Sequence, residues 1–342
     1  MPEPAMLASL EIQGEFMKVC VFGAGAVGGH VAARLSAAQA DEVSVVARGA
    51  RLQAIRERGL TLHSAGAVIK AKPAIATDDP SQLPPQDLIV VTLKAPALPD
   101  AAESLARLLA PAGCAVFLIN GIPWWWPHGL PGAGSTLPLL DPEGKLWTRL
   151  GPEKALGCVV YSPNDMEAPG VIIHIGGNRF VMGEPDGSSS ARLNAAVELF
   201  NRGGLVAEAA ADVRREIWRK LVSNASGNPL SALTGLMLGE IGADAELRRV
   251  MADMMRETLA VTAALGWDLR SEMDVERIAM RPGRKPDIRS SMLQDVLLKR
   301  PLEVEAQLGQ IQAFAREAGV AVPTIDIILP LLRGLDRSLR SS

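Results

Sequence analysis

Cysteine, histidine and tyrosine are scarce in this sequence of 342 residues, which has three cysteines, four histidines and one tyrosine. Each cysteine lies within a short apolar run typical of a buried strand; the three are Cys20, Cys114 and Cys158. We interpret them as buried hydrophobic side chains rather than as disulfide partners or metal ligands, which fits a reducing cytoplasm. His30, His63 and His174 lack further ligand residues nearby, so no metal site is expected.

Long apolar runs and an excess of positive charge are also missing. No stretch of about 18 apolar residues is available to span a membrane. The first sixteen residues include Glu3 and Glu11 and have no basic start, so they lack the pattern of a signal peptide. We treat residues 1–16 as an N-terminal extension. A net charge of -3 argues against nucleic acid or an anionic membrane as the partner, and a small-molecule partner is expected.

The chain is long enough for two domains, and its pattern changes near residue 211. From Met17 a β-branched run, a glycine-rich turn, a helix and a second apolar strand follow one another, which is a βαβ unit. Further strand-like runs are LIVVTL, CAVFLI, ALGCVVYS, VIIHIG and RFVMGE. This pattern predicts a doubly wound, mainly parallel α/β sheet over residues 17–211. Residues 212–338 contain long segments with a 3.6-residue period, which predict an all-helical second domain.

The turn after the first strand has the spacing G-x-G-x-x-G. Gly23 permits a tight turn, Gly25 lets the backbone approach a pyrophosphate, and Gly28 allows the following helix to pack closely. Because strand, turn, helix and second strand come in the required order, the motif predicts a dinucleotide site rather than an ordinary glycine turn. The predicted cofactor-binding loop consists of Gly23, Ala24, Gly25, Ala26, Val27 and Gly28.

The end of the second strand bears on the choice between NAD and NADP. An acidic residue about 20 positions after the glycines would bind the ribose hydroxyl of NAD, but the sequence there is VVARGAR. Arg48 and Arg51 are suited to holding a 2'-phosphate, so NADP(H) is the expected cofactor. The alternative is that both arginines are solvated surface residues.

A polar stripe follows in the helical half, within EIWRKLVSNASGNPLSAL. Lys220, Asn224 and Asn228 are spaced by four residues and so share one face of a helix, which Pro229 is expected to end or kink. Polar groups that face a cleft need partners, and a substrate with a carbonyl and a carboxylate would provide them. The alternative is a solvated lysine with two asparagines that are satisfied locally.

A second group of polar residues lies in RSSMLQDVLLKRPLEVEAQLGQI. Ser290 and Ser291 have the character of helix N-cap residues, and Pro301 is expected to restart a helix. Glu303 is then predicted in the first turn, where the helix dipole favours a carboxylate. A capping serine and a first-turn glutamate each have a sufficient structural explanation, so this segment alone does not establish a site.

Taken together, these motifs resemble the ketopantoate reductases, also called 2-dehydropantoate 2-reductases. The resemblance extends from Met17 to the GVAVPTID segment, almost the whole chain. It rests on the glycine loop, VTLKA, the NG of residues 120 and 121, WRKL…N…NPL, and SSMLQD followed by a glutamate. It implies a Rossmann-like N-terminal domain and an all-helical C-terminal domain, with the active site in the cleft. It also implies an NADPH-dependent reductase of 2-oxo acids. A cytoplasmic location is expected from the cysteines, and a homodimer is expected to form through exposed apolar helices.

By this resemblance, Lys220 matches the family's catalytic lysine and Glu303 its partner glutamate. Ser291 corresponds to a serine near the substrate carboxylate, and the positions that orient substrate or cofactor are Asn120, Asn224, Asn228 and Lys94. NADPH would deliver hydride to the keto carbon while Lys220 donates a proton to the carbonyl oxygen. Two alternatives stay open: a paralogue that reduces a bulkier 2-oxo acid than ketopantoate, and a non-catalytic regulator that senses NADP(H).

One loop departs from the family pattern. Where the family has glutamine, asparagine, glycine, any residue and glycine, this chain has INGIP. Ile119 and Pro123 therefore make the loop less polar and less free in φ. Three of the six tryptophans follow directly, at 124–126. Their rings are expected either to pack as a plug in the seam between the domains or to form a wall that selects a bulkier substrate.

Overall fold

The computed structural model describes residues 17–39, 41–132, 134, 136–280 and 289–340. The proposed N-terminal extension lies outside the described residues. The strands of the described part are β1 (Lys18–Phe22), β2 (Glu42–Val46), β3 (Leu60–Ser64), β4 (Ala67–Ala71), β5 (Ile75–Thr77), β6 (Gln86–Val91), β7 (Leu109–Phe117), β8 (Ala155–Tyr161), β9 (Asn164–Ala168), β10 (Val171–His174), β11 (Arg179–Gly183) and β12 (Val206–Ala209).

Eight of these strands form the main sheet, in the order β12-β11-β8-β7-β6-β1-β2-β5. Adjacent strands are parallel, except that β8 and β11 are antiparallel. Both faces are covered, which explains why the strands are almost continuously apolar. In β1, for example, Val19 and Val21 enter one hydrophobic core while Cys20 and Phe22 enter the other.

A second sheet of four strands, in the order β4-β3-β10-β9, was not predicted. The predicted strand VIIHIG is present as β10, but it pairs with β3 and β9 in this second sheet. The sheet packs against the helix that follows the glycine loop, α1 (Ala26–Ala38). A Cβ at Gly29 would lie only 2.8 Å from the Ile172 side chain, so a glycine is needed for this close packing.

Helices cover the main sheet and form most of the described residues after it. Those of the sheet half, besides α1, are α2 (Gly49–Arg58), α3 (Leu98–Leu108), α4 (Lys145–Arg149) and α5 (Ala191–Arg202). Those of the helical half are α6 (Val213–Thr234), α7 (Leu238–Ala243), α8 (Ala245–Ala264), α9 (Val275–Met280), α10 (Ser291–Leu297), α11 (Gln310–Glu317) and α12 (Pro323–Arg340). The segment Glu305–Gly309, immediately before α11, is a π-helical turn.

The predicted fold class, a Rossmann-like α/β domain followed by an all-helical domain, is confirmed. The boundary at residues 211 and 212 stays a prediction, and the last strand ends two residues before it. Pro229 was expected to end or kink the polar helix; it does not end it, because α6 continues through Pro229 to Thr234. Within the described ranges, no helix is both long enough and apolar enough to cross a membrane.

The tryptophan loop packs in the seam between the two halves. Trp124, Trp125 and Trp126 are at most 3% exposed. The Trp126 ring lies 5.4 Å, centroid to centroid, from the Trp218 ring of α6. The buried guanidinium of Arg214 stacks near two of the indoles and donates to the Trp126 carbonyl. Of the two expectations for this loop, the structure shows the packed plug.

Candidate active site

Four of the predicted residues follow the carboxyl ends of neighbouring parallel strands. Gly23 follows β1, Arg48 follows β2, Lys94 follows β6, and Asn120 follows β7. The strands β7, β6, β1 and β2 are adjacent in the sheet, so these residues lie along one edge. In open α/β sheets this edge is where ligands bind.

Helix α6 brings Lys220 to the same edge. The Lys220 ammonium donates to Oδ1 of Asn120 at 2.8 Å and to the carbonyl of Val160 at 2.7 Å. Both acceptors belong to the sheet half, so this side chain connects the two halves of the protein. Burial lowers the pKa of Lys220 to about 8, while Cys158 and Glu303 oppose that shift. An amine with this pKa can give up a proton near neutral pH.

Glu303 is a second charged group beside Asn120, whose side-chain amide favours the ionised carboxylate. Its carboxylate is 4% exposed, and Oε1 accepts the backbone N–H of Ala95 at 3.2 Å. Burial raises the pKa of Glu303, and the charge of Lys94 and the N–H of Ala95 oppose this rise. Glu303 was expected in a first helical turn, but it immediately precedes the first helical residue, Val304.

The π-helical turn explains how the Asn120 loop is held. In an α-helix the N–H of Gln310 would bond to the carbonyl of Ala306, but here it bonds to the carbonyl of Glu305. The Ala306 carbonyl therefore accepts the N–H of Ile122 at 2.8 Å. Gly121 has a φ of +88°, and a Cβ there would lie 2.3 Å from this carbonyl oxygen. Only glycine fits at this position.

A chain of amides connects Glu303 back to α6. Nδ2 of Asn228 donates to Oε1 of Gln307 at 2.9 Å, and Nε2 of Gln307 lies 3.5 Å from Oε2 of Glu303. Gln307 is 1% exposed and belongs to the π-helical turn. Asn228 is thus brought to the site indirectly, through Gln307.

A small cavity lies beside the lysine. Its lining includes Asn120, Gly121, Lys220 and Asn224, together with the apolar residues Ile119, Val159, Ile217 and Leu221. Asn224 is therefore brought next to Lys220, as predicted from their spacing. The lining of this cavity combines an ammonium and amide groups with apolar side chains.

Lys94 and Ser291 differ in their contacts: Lys94 pairs with a residue of the helical half, whereas Ser291 is exposed. The Lys94 ammonium forms an ion pair with Asp295 of α10, again joining the two halves. Ser290 caps α10 by accepting the N–H of Leu293, whereas Ser291 is the exposed first residue of that helix. The expectation that both serines cap was therefore wrong for Ser291. No hydrogen bond among the described residues joins Ser291 to Lys220 or Glu303.

The glycine loop fits a dinucleotide. Gly23 has a φ of +110°, and a Cβ at Gly28 would lie 2.0 Å from the Gly23 carbonyl oxygen. A Cβ at Gly25 would meet nothing within 4 Å, so the backbone is open on the side where a pyrophosphate would approach. No side chain of the described residues caps α1, which begins at Ala26, so the first N–H groups can bind phosphate oxygens.

The two arginines after β2 differ in exposure. Arg48 is exposed and precedes α2, whereas Arg51, in the first turn of α2, is half-buried. Burial and the nearby charge of Arg300 both lower the pKa of Arg51. Arg300 comes from the helical half, between α10 and the π-helical turn. Like charges that face each other across a cleft favour an anion between them.

Three residues of this cluster were not identified from the sequence: Asp295, Arg300 and Gln307. Gln307 left a usable signal, since it is the fourth residue after Glu303 and interrupts an otherwise apolar helical face. Asp295 and Arg300 lie on a short helix and in the loop after it. Their contacts with the sheet half depend on the packing of the two halves, which no local pattern encodes.

Comparisons with known proteins identify the family of this chain. The family model Ketopantoate reductase PanE/ApbA matches residues 19–187, and the model of the C-terminal part of the same family matches residues 212–336. A 2-dehydropantoate 2-reductase from Mesorhizobium japonicum is 41% identical over 321 residues, which cover 93% of this chain and 98% of that protein.

Solved structures extend the agreement to the fold. A crystal structure from Ralstonia solanacearum MolK2, assigned as a ketopantoate reductase, superposes with a TM-score of 0.87 at 36% identity and covers 95% of this chain and 99% of that chain. The dimeric ketopantoate reductase from Staphylococcus aureus shares the fold, with a TM-score of 0.73 at 19% identity, over 94% of this chain and 99% of that chain. The chain therefore belongs to the ketopantoate reductase family, a family of oxidoreductases that use NADPH.

Proposed function

We propose that the protein reduces a 2-oxo acid with NADPH, and that ketopantoate (2-dehydropantoate), which becomes pantoate, is the leading substrate. The observation that carries this proposal is the position of Lys220. Its ammonium is buried at the ligand-binding edge of the sheet, beside a small cavity and next to Asn120. A proton donor is thereby available where a ketone would lie between the cofactor and α6.

The proposed chemistry needs a hydride and a proton. Bound NADPH supplies the hydride to the keto carbon. The ammonium of Lys220 has three N–H groups, of which Asn120 and Val160 take two. The third N–H is free to stabilise the charge that develops on the carbonyl oxygen and to donate the proton that completes the hydroxyl. The neutral amine then regains its proton from solvent.

The other predicted residues are assigned the following roles in this proposal. Asn120, Asn224, Asn228 and Ser291 bind or orient the substrate in this proposal, and Glu303 accepts a hydrogen bond from a substrate hydroxyl. The cofactor is held by the glycine loop, by Lys94 and Asn120, and by Arg48 and Arg51 at the 2'-phosphate. Residues 17–211 form the dinucleotide-binding domain, and residues 212–338 form the substrate and dimerisation domain.

The lysine is tested by substitution. In Lys220→Ala the proton donor is lost, so turnover is expected to fall to background while the affinity for NADPH stays nearly unchanged. Turnover is measured as NADPH oxidation with ketopantoate, and affinity by the change in NADPH fluorescence on binding. The control is Lys72→Ala, which removes an exposed lysine of the sheet half. Loss of both turnover and NADPH affinity in Lys220→Ala would show that the residue is structural.

A panel of 2-oxo acids separates the alternatives. Ketopantoate should give the highest kcat/KM among branched, linear and aromatic 2-oxo acids. A large preference for an acid without the ketopantoate hydroxyl would favour the paralogous reductase. Tight NADPH binding with no oxidation by any member of the panel would favour the non-catalytic regulator.

We also propose that the protein is a cytoplasmic homodimer. The outer face of α12 supports the dimer, because Ile327 and Leu331 are exposed on the same side of the helix, at 65% and 55%. The dimeric relative from Staphylococcus aureus has the same fold. The three buried, unpaired cysteines fit a reducing compartment.

A further inference from the structure

Gln307 contacts Glu303 and has no role in the function proposed above. Its side chain is 1% exposed, so its amide cannot be satisfied by solvent. Both ends of the amide have a partner: Oε1 accepts from Asn228 and Nε2 points to Oε2 of Glu303. A buried glutamine with these two contacts connects the helix that carries Lys220 to the carboxylate of the site.

The charge of Glu303 determines which end of the Gln307 amide faces it. An ionised carboxylate only accepts hydrogen bonds, so the group that faces it must be an N–H donor. Gln307 can present Nε2 to Glu303 only if its Oε1 points the other way, towards a second donor. The Nδ2 group of Asn228 is that donor, at 2.9 Å. Asn228 therefore prevents the Gln307 side-chain amide from flipping, which would exchange the positions of its oxygen and nitrogen.

The π-helical turn is what brings Gln307 to this position. Its wider turn changes the angle at which Gln307 leaves the helix, and the same turn releases the Ala306 carbonyl that holds Ile122. One local irregularity thus positions both the Asn120 loop and the group behind Glu303. π-Helical turns of this kind are frequent at functional sites.

We propose that Gln307 is a positioning residue of the active site: held by Asn228, its amide fixes the orientation of the Glu303 carboxylate and keeps it ionised. The charged groups around Glu303 are Lys94 from the end of β6, Asp295 from α10 and Lys220 from α6. The two lysines favour the ionised carboxylate, whereas Asp295 and burial oppose it. The side-chain amide of Asn120 is a neutral donor that favours ionisation, and the Gln307 amide lies 3.5 Å from the other carboxylate oxygen. The inference rests on the proposed function, in which Glu303 works as a hydrogen-bond acceptor.

The test replaces Gln307 by methionine, which has a similar volume and no N–H donor. Glu303 should then hold its proton to higher pH, because an interaction with the ionised form is lost. The acidic limb of kcat/KM against pH for 2-oxo acid reduction should move up by about half a unit to one unit. At pH values below this limb, kcat/KM of the variant should be about three- to tenfold lower than that of the wild type. At higher pH the two values should become equal. Asn228→Leu should produce part of the same shift, since Gln307 is then free to turn.

The matched control is Gln312→Met. Gln312 is a buried glutamine one turn further along, and it donates to Asp326 rather than to Glu303. It should lower the stability of the fold without moving the acidic limb. An equal loss of kcat/KM at every pH in Gln307→Met, or an unchanged profile, would overturn the proposal.

A spectroscopic titration keeps this test separate from the proposed function. The infrared band of the protonated Glu303 carboxyl, assigned by its absence in Glu303→Gln, should appear at higher pH in Gln307→Met than in the wild type. The same titration midpoint in both proteins would overturn the role of Gln307 even if the enzyme is active. If no 2-oxo acid is reduced, the proposed function fails, and the infrared midpoint still decides the role of Gln307.

Discussion

Lys220 is a buried ammonium whose hydrogen-bond acceptors are both neutral. Asn120 and Val160 supply an amide oxygen and a backbone carbonyl, and neither balances the charge. This arrangement lowers the pKa of Lys220, because the two neutral acceptors only partly offset the desolvation cost. Glu303 is near enough to raise the pKa again but does not pair with Lys220 directly. The side chain can therefore act as an acid near neutral pH.

The pKa of Lys220 predicts an alkaline limb for the reduction. A general acid must be protonated, so kcat/KM should fall as pH rises through about 8, on the alkaline side of the limb set by Glu303. In Asn120→Asp the new carboxylate would lie beside the ammonium and favour its charged form. The limb should then move up by about one unit or more, whatever the absolute rate. The profile is measured by NADPH oxidation between pH 6 and pH 10, in steps of about 0.5 pH unit.

The control for Asn120→Asp is Asn194→Asp, which adds the same charge on the exposed surface of α5. It should leave the limb where the wild type has it. A limb that stays near pH 8 in Asn120→Asp would mean that another group, and not Lys220, donates the proton.

The sequence was informative at the residue scale wherever a short-range pattern was involved. The four-residue spacing placed Lys220 and Asn224 on one face, and both line the cavity. It could not show that Asn228 reaches the site through Gln307, because that contact joins residues 79 positions apart. The tryptophan loop could be read in two ways because composition does not tell which surface covers an indole.

At the scale of elements, the strands of the main sheet are the part that the sequence predicted best. Long apolar runs such as LIVVTL are unambiguous because both of their faces are buried. The second sheet was missed because its strands are short and partly exposed; β4, for instance, has no buried residue. Pro229 was expected to end or kink its helix, but α6 continues past it because packing on both sides of the helix outweighs the missing N–H.

The π-helical turn could not have been predicted from local sequence, since it is stabilised by a contact with a distant loop. The N–H of Ile122 satisfies the carbonyl that the wide turn releases. The helix and the Asn120 loop therefore adopt their irregular shapes together. This mutual fit makes Gly121 the most constrained residue of the loop.

Gly121→Ala should uncouple the loop from the turn. An added Cβ would lie 2.3 Å from the Ala306 carbonyl oxygen, so the loop must move and take Asn120 with it. Displacing a positioning group by about 1 Å can cost on the order of 100-fold in rate. We expect kcat for the 2-oxo acid to fall by about that factor, with much less change in NADPH affinity, as measured by steady-state kinetics and fluorescence titration.

Gly66→Ala is the matched control for this substitution. Gly66 has a φ of +80° in the turn between β3 and β4, and a Cβ there would meet nothing within 4 Å. It carries the same backbone strain without the clash, so it should cost stability but little activity. Equal losses of kcat in both variants would mean that strain, and not the contact with Ala306, explains the effect.

At the scale of the whole molecule, one hydrophobic core extends through both halves. It includes strand residues such as Phe117 and Val181 and helix residues such as Leu221 and Met255. The tryptophan plug lies within it, where Trp126 contacts Trp218, Trp267 and Phe314. The site is built across the same seam, with Lys220 and Asp295 from the helical half facing Asn120 and Lys94. The seam and the site are therefore formed by the same two halves of the protein.

The exposed face of α12 gives the last prediction, which concerns the assembly. Ile325, Leu329 and Leu332 of this helix face the core, while Ile327 and Leu331 point outwards at 65% and 55% exposure. Burying such side chains contributes about 2 kcal/mol each, and a twofold axis doubles every contact. Ile327→Lys should therefore weaken the homodimer by at least about tenfold in Kd, measured by light scattering and sedimentation over a range of concentrations. Val206→Lys, an equally exposed apolar residue on β12, should leave the dimer intact. A monomeric wild-type protein, or a dimer unaffected by Ile327→Lys, would show that α12 does not form the interface.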